Sequence, residues 1–160
     1  MNVAMWRRRL IAAAVIVVLG GGGYLAWRLT HPPISDEERI ARLLDRIEQG
    51  IETRSPRMIL DTISSDYRDA FGYTKRDIHR LSLNLLRTEG TFQVVLDEVN
   101  IHVRGGEADA NVSGEVTLTQ NGRVTEKYSG SLAAHLRKQA GKWRIVSATG
   151  WQDEALRGFE

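Results

Sequence analysis

The hydrophobic period of this chain changes once, near Thr91. Before that point apolar residues recur every three or four positions; after it they alternate. The first spacing puts side chains on one stripe of a helix, the second on one face of a strand. Helices made first and strands afterwards predict an α+β domain, with three N-terminal helices packed on one face of a curved four-stranded antiparallel sheet.

The helices read as follows. Ser35 and Glu38 have capping-box spacing, and Ile40, Leu43, Leu44, Ile47 and Ile51 form one apolar stripe, so a first helix is expected over Asp36–Glu52. Charged residues fill its other side, with Glu38 and Arg42 as an i,i+4 pair. Ser55 and Pro56 open a second, short helix carrying Met58, Ile59, Leu60 and Ile63. Thr74 with Asp77 opens a third, which turns Ile78, Leu81, Leu85 and Leu86 inward and ends at Gly90.

In the second half Phe92 and Val94 fall on even numbers, but Val99, Ile101 and Val103 on odd ones. That slip between Val95 and Glu98 predicts a β-bulge, and with it a bend. Ala108, Ala110, Val112, Val116 and Leu118 mark a second strand, Asn121-Gly122 a hairpin turn, and Tyr128, Leu132, Ala134 and Leu136 a third strand. The last strand, in "GKWRIVSATGW", places Trp143, Ile145, Ser147, Thr149 and Trp151 on one face. Trp143 is expected in the core beneath the helices, and Trp151 at the mouth of any pocket there.

Ahead of this domain stand Arg7, Arg8 and Arg9 and then an uncharged apolar run, Leu10 to Trp27. As a helix that run would span about 27 Å, close to a bilayer's hydrocarbon thickness. The positive-inside rule puts the arginines in the cytoplasm and the rest outside. The expected organisation is therefore a cytoplasmic tail over 1–9, a transmembrane helix over 10–27, a linker over 28–35 and a domain over 36–155. Small residues Gly20 to Gly23 are followed by more apolar residues, which favours a retained signal-anchor over a cleaved signal peptide. The first 31 residues hold four arginines and no acid, leaving 18 basic against 20 acidic groups in the remainder. That balance excludes an electrostatic footprint for nucleic acid. There is no cysteine, hence no disulfide and no thiolate metal site.

The order of elements, with "ISSDYRDAFGYTKRDI", "VRGGEADANVSGEVTL" and "LRKQAGKWRIVSATGW", resembles the nuclear transport factor 2-like superfamily, which includes SnoaL-like cyclases, ketosteroid isomerases and scytalone dehydratases. The resemblance covers about Asp36 to Trp151. It implies a cone-shaped sheet closed by helices, a central pocket and homodimerisation through the sheet's outer face. A single anchor followed by this fold also looks like the inner-membrane scaffold subunit of type IV secretion systems. The superfamily mixes enzymes with members that catalyse nothing, so activity does not follow from the fold.

Enzymes of this superfamily use a pocket carboxylate or histidine with a phenolic or acid donor. The candidates are Asp66 and Asp69 as base and Tyr67 and Tyr73 as donors, all in the loop between the second and third helices. Tyr67, Phe71, Phe92, Trp143 and Trp151 are the expected pocket-lining residues. Turn-forming acids next to Arg68, Lys75 and Arg76 are ordinary loop chemistry, so the sequence favours a noncatalytic module that binds a small hydrophobic ligand or an envelope protein. A small-molecule isomerase, cyclase or dehydratase is the alternative, and a dimeric envelope-stress or lipid-binding module is a third reading. His31, His79, His102 and His135 lack ligand spacing, so no metal and no cofactor is expected.

Overall fold

The computed structural model describes residues 34–150; the apolar run from Leu10 and the arginines before it, like Trp151, lie outside them. Among the described residues no helix is long and apolar enough to cross a membrane. Three helices, α1 (Asp36–Glu52), α2 (Pro56–Leu60) and α3 (Lys75–Arg87), precede four strands, β1 (Thr91–Arg104), β2 (Glu107–Gln120), β3 (Arg123–Gln139) and β4 (Lys142–Thr149). The strands form one antiparallel meander in the order β1-β2-β3-β4.

Helix α1 has the bounds its stripe predicts, and its Glu38 and Arg42 form the expected pair at 2.7 Å. Pro56 begins α2. Asp77 accepts hydrogen bonds from the Thr74 N–H at 2.9 Å and from the Thr74 hydroxyl at 2.7 Å, fixing the start of α3. This last helix stops at Arg87, with Thr88 already extended, short of Gly90.

Helix α1 packs against β1 and also against β4, the two ends of the sheet. In a flat sheet those strands would stand about 14 Å apart, wider than the contact face of one helix. The sheet must therefore curve around α1. Register shifts supply the bends: between Leu96 and Glu98 in β1, between Leu118 and Thr119 in β2, and between His135 and Leu136 in β3 against β4. The first is the predicted bulge. Opposite it Gly114 lets two backbones approach, since a Cβ there would lie 2.4 Å from the Val95 carbonyl oxygen. Asn121 and Gly122 both have positive φ, as a two-residue hairpin turn requires.

Two expectations need correction. Only α1 lies squarely on the sheet; α2 packs on α1 and α3 on α2. The stripe of α3 is accordingly covered in part: Ile78 packs against the core, but Leu86 is 54% exposed. In β4 the alternation breaks. Trp143 and Ile145 are buried as predicted, but Ala148 is the next core residue, and Ser147 and Thr149 pair with His135 and Ala133 on the other face. The extra residue is Val146, skipped in the β3–β4 register.

The core brings together Ile40, Leu43 and Leu44 of α1, alanines of β2 and β3, and Trp143 and Ile145 of β4. Trp143 is 4% exposed, and its indole Nε1–H donates to Asp36 Oδ1 at 3.0 Å. Lys138 reaches both oxygens of the same carboxylate at 2.9 Å. These two partners, Trp143 first, hold the Asp36 carboxyl below its ordinary value. One acid thus ties the start of α1 to the β3–β4 hairpin.

Candidate functional site

The loop that carried the sequence-derived catalytic candidates has a structural task. Its segment from Thr62 to Arg68 runs along the free edge of β4. Ile145 N–H donates to the Thr62 carbonyl at 2.9 Å, Ser64 N–H to the Ile145 carbonyl at 2.9 Å, and Arg68 N–H to the Val146 carbonyl at 3.0 Å. An uncovered edge would expose these groups to a foreign strand, so the loop caps the sheet. Tyr67 sits in the core at 3% exposure. Asp69 is buried, and its Oδ1 accepts the N–H groups of Phe71 and Tyr73, each at 2.9 Å. Asp66 is exposed and accepts from the Ser65 hydroxyl at 3.1 Å. Phe71 is 64% exposed, Tyr73 is half-buried and Phe92 is buried.

An apolar concavity lies elsewhere, between α1 and the middle of the sheet. It has a volume of about 470 Å³. Leu44, Ile47, Glu48 and Ile51 of α1 form one wall; Val94, Leu96, Val112, Gly114, Val116, Tyr128, Gly130 and Leu132 form the opposite one, with Glu115, Ser129, Ser131 and Gly150 at its rim. Of the five pocket-lining residues expected from sequence, the four that are described are absent from this lining. The curvature explains why space remains. Gly114 and Gly130 face each other across β2 and β3 just where the sheet turns, and a Cβ on Gly130 would meet nothing within 4 Å.

Three titratable groups belong to this region. Glu48 lies within the apolar stripe of α1, four residues after Leu44 and three before Ile51. Desolvation, then Glu52 and Asp45 nearby, raises its carboxyl above the ordinary 4.5. Tyr128 is on the helix side of β3 and donates its hydroxyl to Glu126 Oε2 at 2.7 Å, a bond that raises the phenol. Glu115 takes Lys127 at 2.7 Å and hydroxyls of Thr117 and Ser129. Those partners alternate with it on the outer face, and Lys127 is the main reason its carboxyl is lowered. Among the described residues, Glu48 is thus the acid of this cavity without a salt bridge. The sequence signal for it was a glutamate occupying a stripe position, which a reading of the stripe as core passes over.

On the outer face His135 Nδ1 lies 2.8 Å from Asp109 Oδ1, and Arg104 pairs with the same carboxylate. His102 is exposed there. Among the described residues no three His, Asp or Glu are grouped to hold a metal ion.

No protein-family model and no curated protein matches this sequence. Solved structures do match. A protein of unknown function from Pseudomonas putida, described as NTF2-like, superposes with TM-score 0.61 at 17% identity, covering 71% of this chain and 84% of its own. A nuclear transport factor 2 superfamily protein from Salmonella enterica gives 0.60 at 19% identity, over 71% and 87%. A candidate scytalone dehydratase from Novosphingobium aromaticivorans gives 0.62 at 13% identity, over 72% and 82%. The chain therefore has the nuclear transport factor 2-like fold that its sequence resembles.

Proposed function

We propose that the domain from Asp36 onward is a noncatalytic module that binds a small hydrophobic ligand in the cavity beneath α1. The carrying observation is that cavity: about 470 Å³ with an apolar lining, within the range that holds drug-sized ligands. Catalysis of the isomerase or dehydratase kind needs a base and a donor aimed at a developing oxyanion. Glu48 has the raised carboxyl of a base, but the Tyr128 proton is already given to Glu126 and Glu115 is neutralised on the far face. The cavity thus has half of a catalytic pair. A second reading, in which Glu48 abstracts a proton from a bound substrate, rests on that raised carboxyl and on the structural likeness to a candidate dehydratase.

The same proposal places the module outside the cytoplasm, anchored by Leu10–Trp27 with Arg7, Arg8 and Arg9 inside, where it would meet a ligand or an envelope protein. The support is the length and charge of that run. A second copy docking on the outer sheet face belongs to this proposal through the resemblance alone. A reporter active only outside the cytoplasm, fused after Glu160, is expected to work; activity of a cytoplasm-only reporter there contradicts the anchoring. For the cavity, the neutral dye 6-propionyl-2-(dimethylamino)naphthalene should bind saturably at one site per chain with blue-shifted emission. Glu48→Gln should retain that binding. Absence of saturable binding removes the proposal, and substrate turnover abolished by Glu48→Gln would install the enzymatic reading in its place.

A further inference from the structure

The polar side of α1 walls a second concavity. Arg39, Arg42 and Arg46 follow one another at helical spacing, and Lys142 and Arg144 rise from the start of β4 opposite them. The depression has a volume of about 640 Å³, and among the described residues Asp61 is the one acid in its lining. Arg42 pairs with Glu38 at 2.7 Å, Arg46 with Asp61 at 3.2 Å, and Arg39 stands 3.7 Å from Asp36, which Lys138 holds more closely at 2.9 Å. Arg144 donates to the Asp61 backbone carbonyl. Counting Lys138, six cations face three carboxylates. This excess sits on a domain that, from residue 32 on, has 18 basic and 20 acidic groups, so the charge is concentrated rather than general.

The existing pairs do not consume that charge. Arg42, Glu38, Arg46 and Asp61 all have side chains about half exposed, and solvent screens such pairs so that they hold their partners only weakly. Guanidinium groups exchange a carboxylate for a phosphate with two parallel hydrogen bonds, a geometry that lysine alone cannot supply. The floor is Leu43 and Trp143, buried and apolar, which suits the organic part of a phosphodiester better than it suits a hydrated inorganic ion.

We propose that this groove binds the phosphate of an anionic phospholipid headgroup. The lipid source follows from the chain's layout: the apolar run ends at Trp27, with eight residues between it and Asp36. Fully extended, those residues reach at most about 30 Å, and Arg39 is in the first turn of α1. In its choice of lipid over free phosphate the inference rests on the anchoring proposed above; the phosphate chemistry itself does not.

The test uses the full-length chain in maltoside micelles at constant ionic strength. Acetylation of Lys142, which is exposed, is followed by mass spectrometry during titration with dihexanoyl phosphatidylglycerol, dihexanoyl phosphatidylcholine or inorganic phosphate. Phosphatidylglycerol should protect Lys142 saturably, while the other two should not at the same concentration. The double variant Arg39→Gln, Arg42→Gln should weaken protection about tenfold or more, as loss of two charge-assisted contacts does. Lys127→Gln, on the outer sheet face, should leave it unchanged. Equal protection by phosphatidylcholine, or protection by inorganic phosphate alone, overturns the lipid-headgroup site. So does an equal loss with Lys127→Gln, which would mean diffuse attraction. Should the double variant not fold, the three ligands compared on the unaltered chain still decide. Because the anchor sits in a micelle throughout, a failed titration is distinguishable from a failed topology assignment, which the reporter fusion reads.

Discussion

The two concavities flank one helix and differ in almost every respect. On one side of α1, Leu44, Ile47 and Ile51 face a bend in the sheet where two glycines leave room; on the other, three arginines face the start of β4. On the apolar side desolvation pushes the Glu48 carboxyl toward its neutral form, and beside the polar groove Trp143 and Lys138 hold the Asp36 carboxyl in its charged form. The difference teaches that an amphipathic helix can do more than cover a core. Its apolar stripe closes a cavity only where the sheet recedes, and its charged face becomes a groove only where another element rises beside it.

The largest expected effect breaks the polar side. Trp143 is the floor of the groove and part of the core, so Trp143→Ala should cost about 3–5 kcal/mol in denaturant unfolding, as loss of a large core aromatic does. Trp143→Phe keeps most of the packing but loses the bond to Asp36, and should cost about 1 kcal/mol. A loss below about 1 kcal/mol for the alanine variant would mean that the indole is not holding the two elements together.

A pH series sharpens the contrast between the two acids. Asp36 lies below its ordinary 3.8 in the folded chain, so its stabilising effect is complete above that value and fades as pH falls through the lowered one. Asp36→Asn should therefore be least stable relative to the parent near neutrality, with the deficit closing in acid. Glu48 lies above its ordinary 4.5, so the folded state is favoured below that value and loses ground as pH rises through the raised one. Glu48→Gln should then gain on the parent toward neutral pH and show no gain below about pH 4. Parallel curves for the two variants would contradict the assignment of opposite environments.

The smallest effect lies in the β3–β4 turn that joins Lys138 to Lys142. Ala140 has φ 47 there, followed by Gly141 at φ 78, a left-handed position that costs an L residue about 1–2 kcal/mol. Ala140→Gly relieves this while adding freedom to the unfolded chain, for a net gain of about 0.5–1 kcal/mol. Thermal unfolding would read it, and destabilisation instead would show that the methyl group makes a contact worth more than the strain.

Much of the fold was legible because it is written in local patterns. The bounds of α1, Pro56 at the head of α2, the Thr74–Asp77 cap, the slip before Glu98 and the Asn121-Gly122 turn all appear as residue types at fixed spacing. What was illegible depends on partners distant in sequence. Val146 drops out of the strand register, and the Thr62–Arg68 segment pairs along β4 there, about eighty residues from it in sequence. Because that loop pairs with an edge, Tyr67 and Asp69 are occupied with folding, and the same residues on an unpaired loop would have read identically. The cavity was missed for a similar reason. Space is left by residues that lack a side chain, Gly114 and Gly130, whereas the search for a pocket followed the aromatic residues, which fill space. Arg39, Arg42 and Arg46 read as a solvated helix face, and only the placement of Lys142 and Arg144 opposite them makes a groove.

The central claim, that the space beneath α1 is a binding site rather than a packing defect, is tested most directly by filling it. Gly130→Leu adds a side chain where a Cβ meets nothing within 4 Å, so stability should change by less than about 1 kcal/mol. In methyl-labelled protein titrated with the neutral naphthalene dye, the shifts of Ile47, Ile51 and Leu132 should move saturably in the parent chain. In Gly130→Leu the same folded spectrum should stay still, with apparent affinity down by about tenfold or more. Saturable shifts at those methyls that persist unchanged in a folded Gly130→Leu variant, or shifts confined to residues outside the lining, would contradict the account.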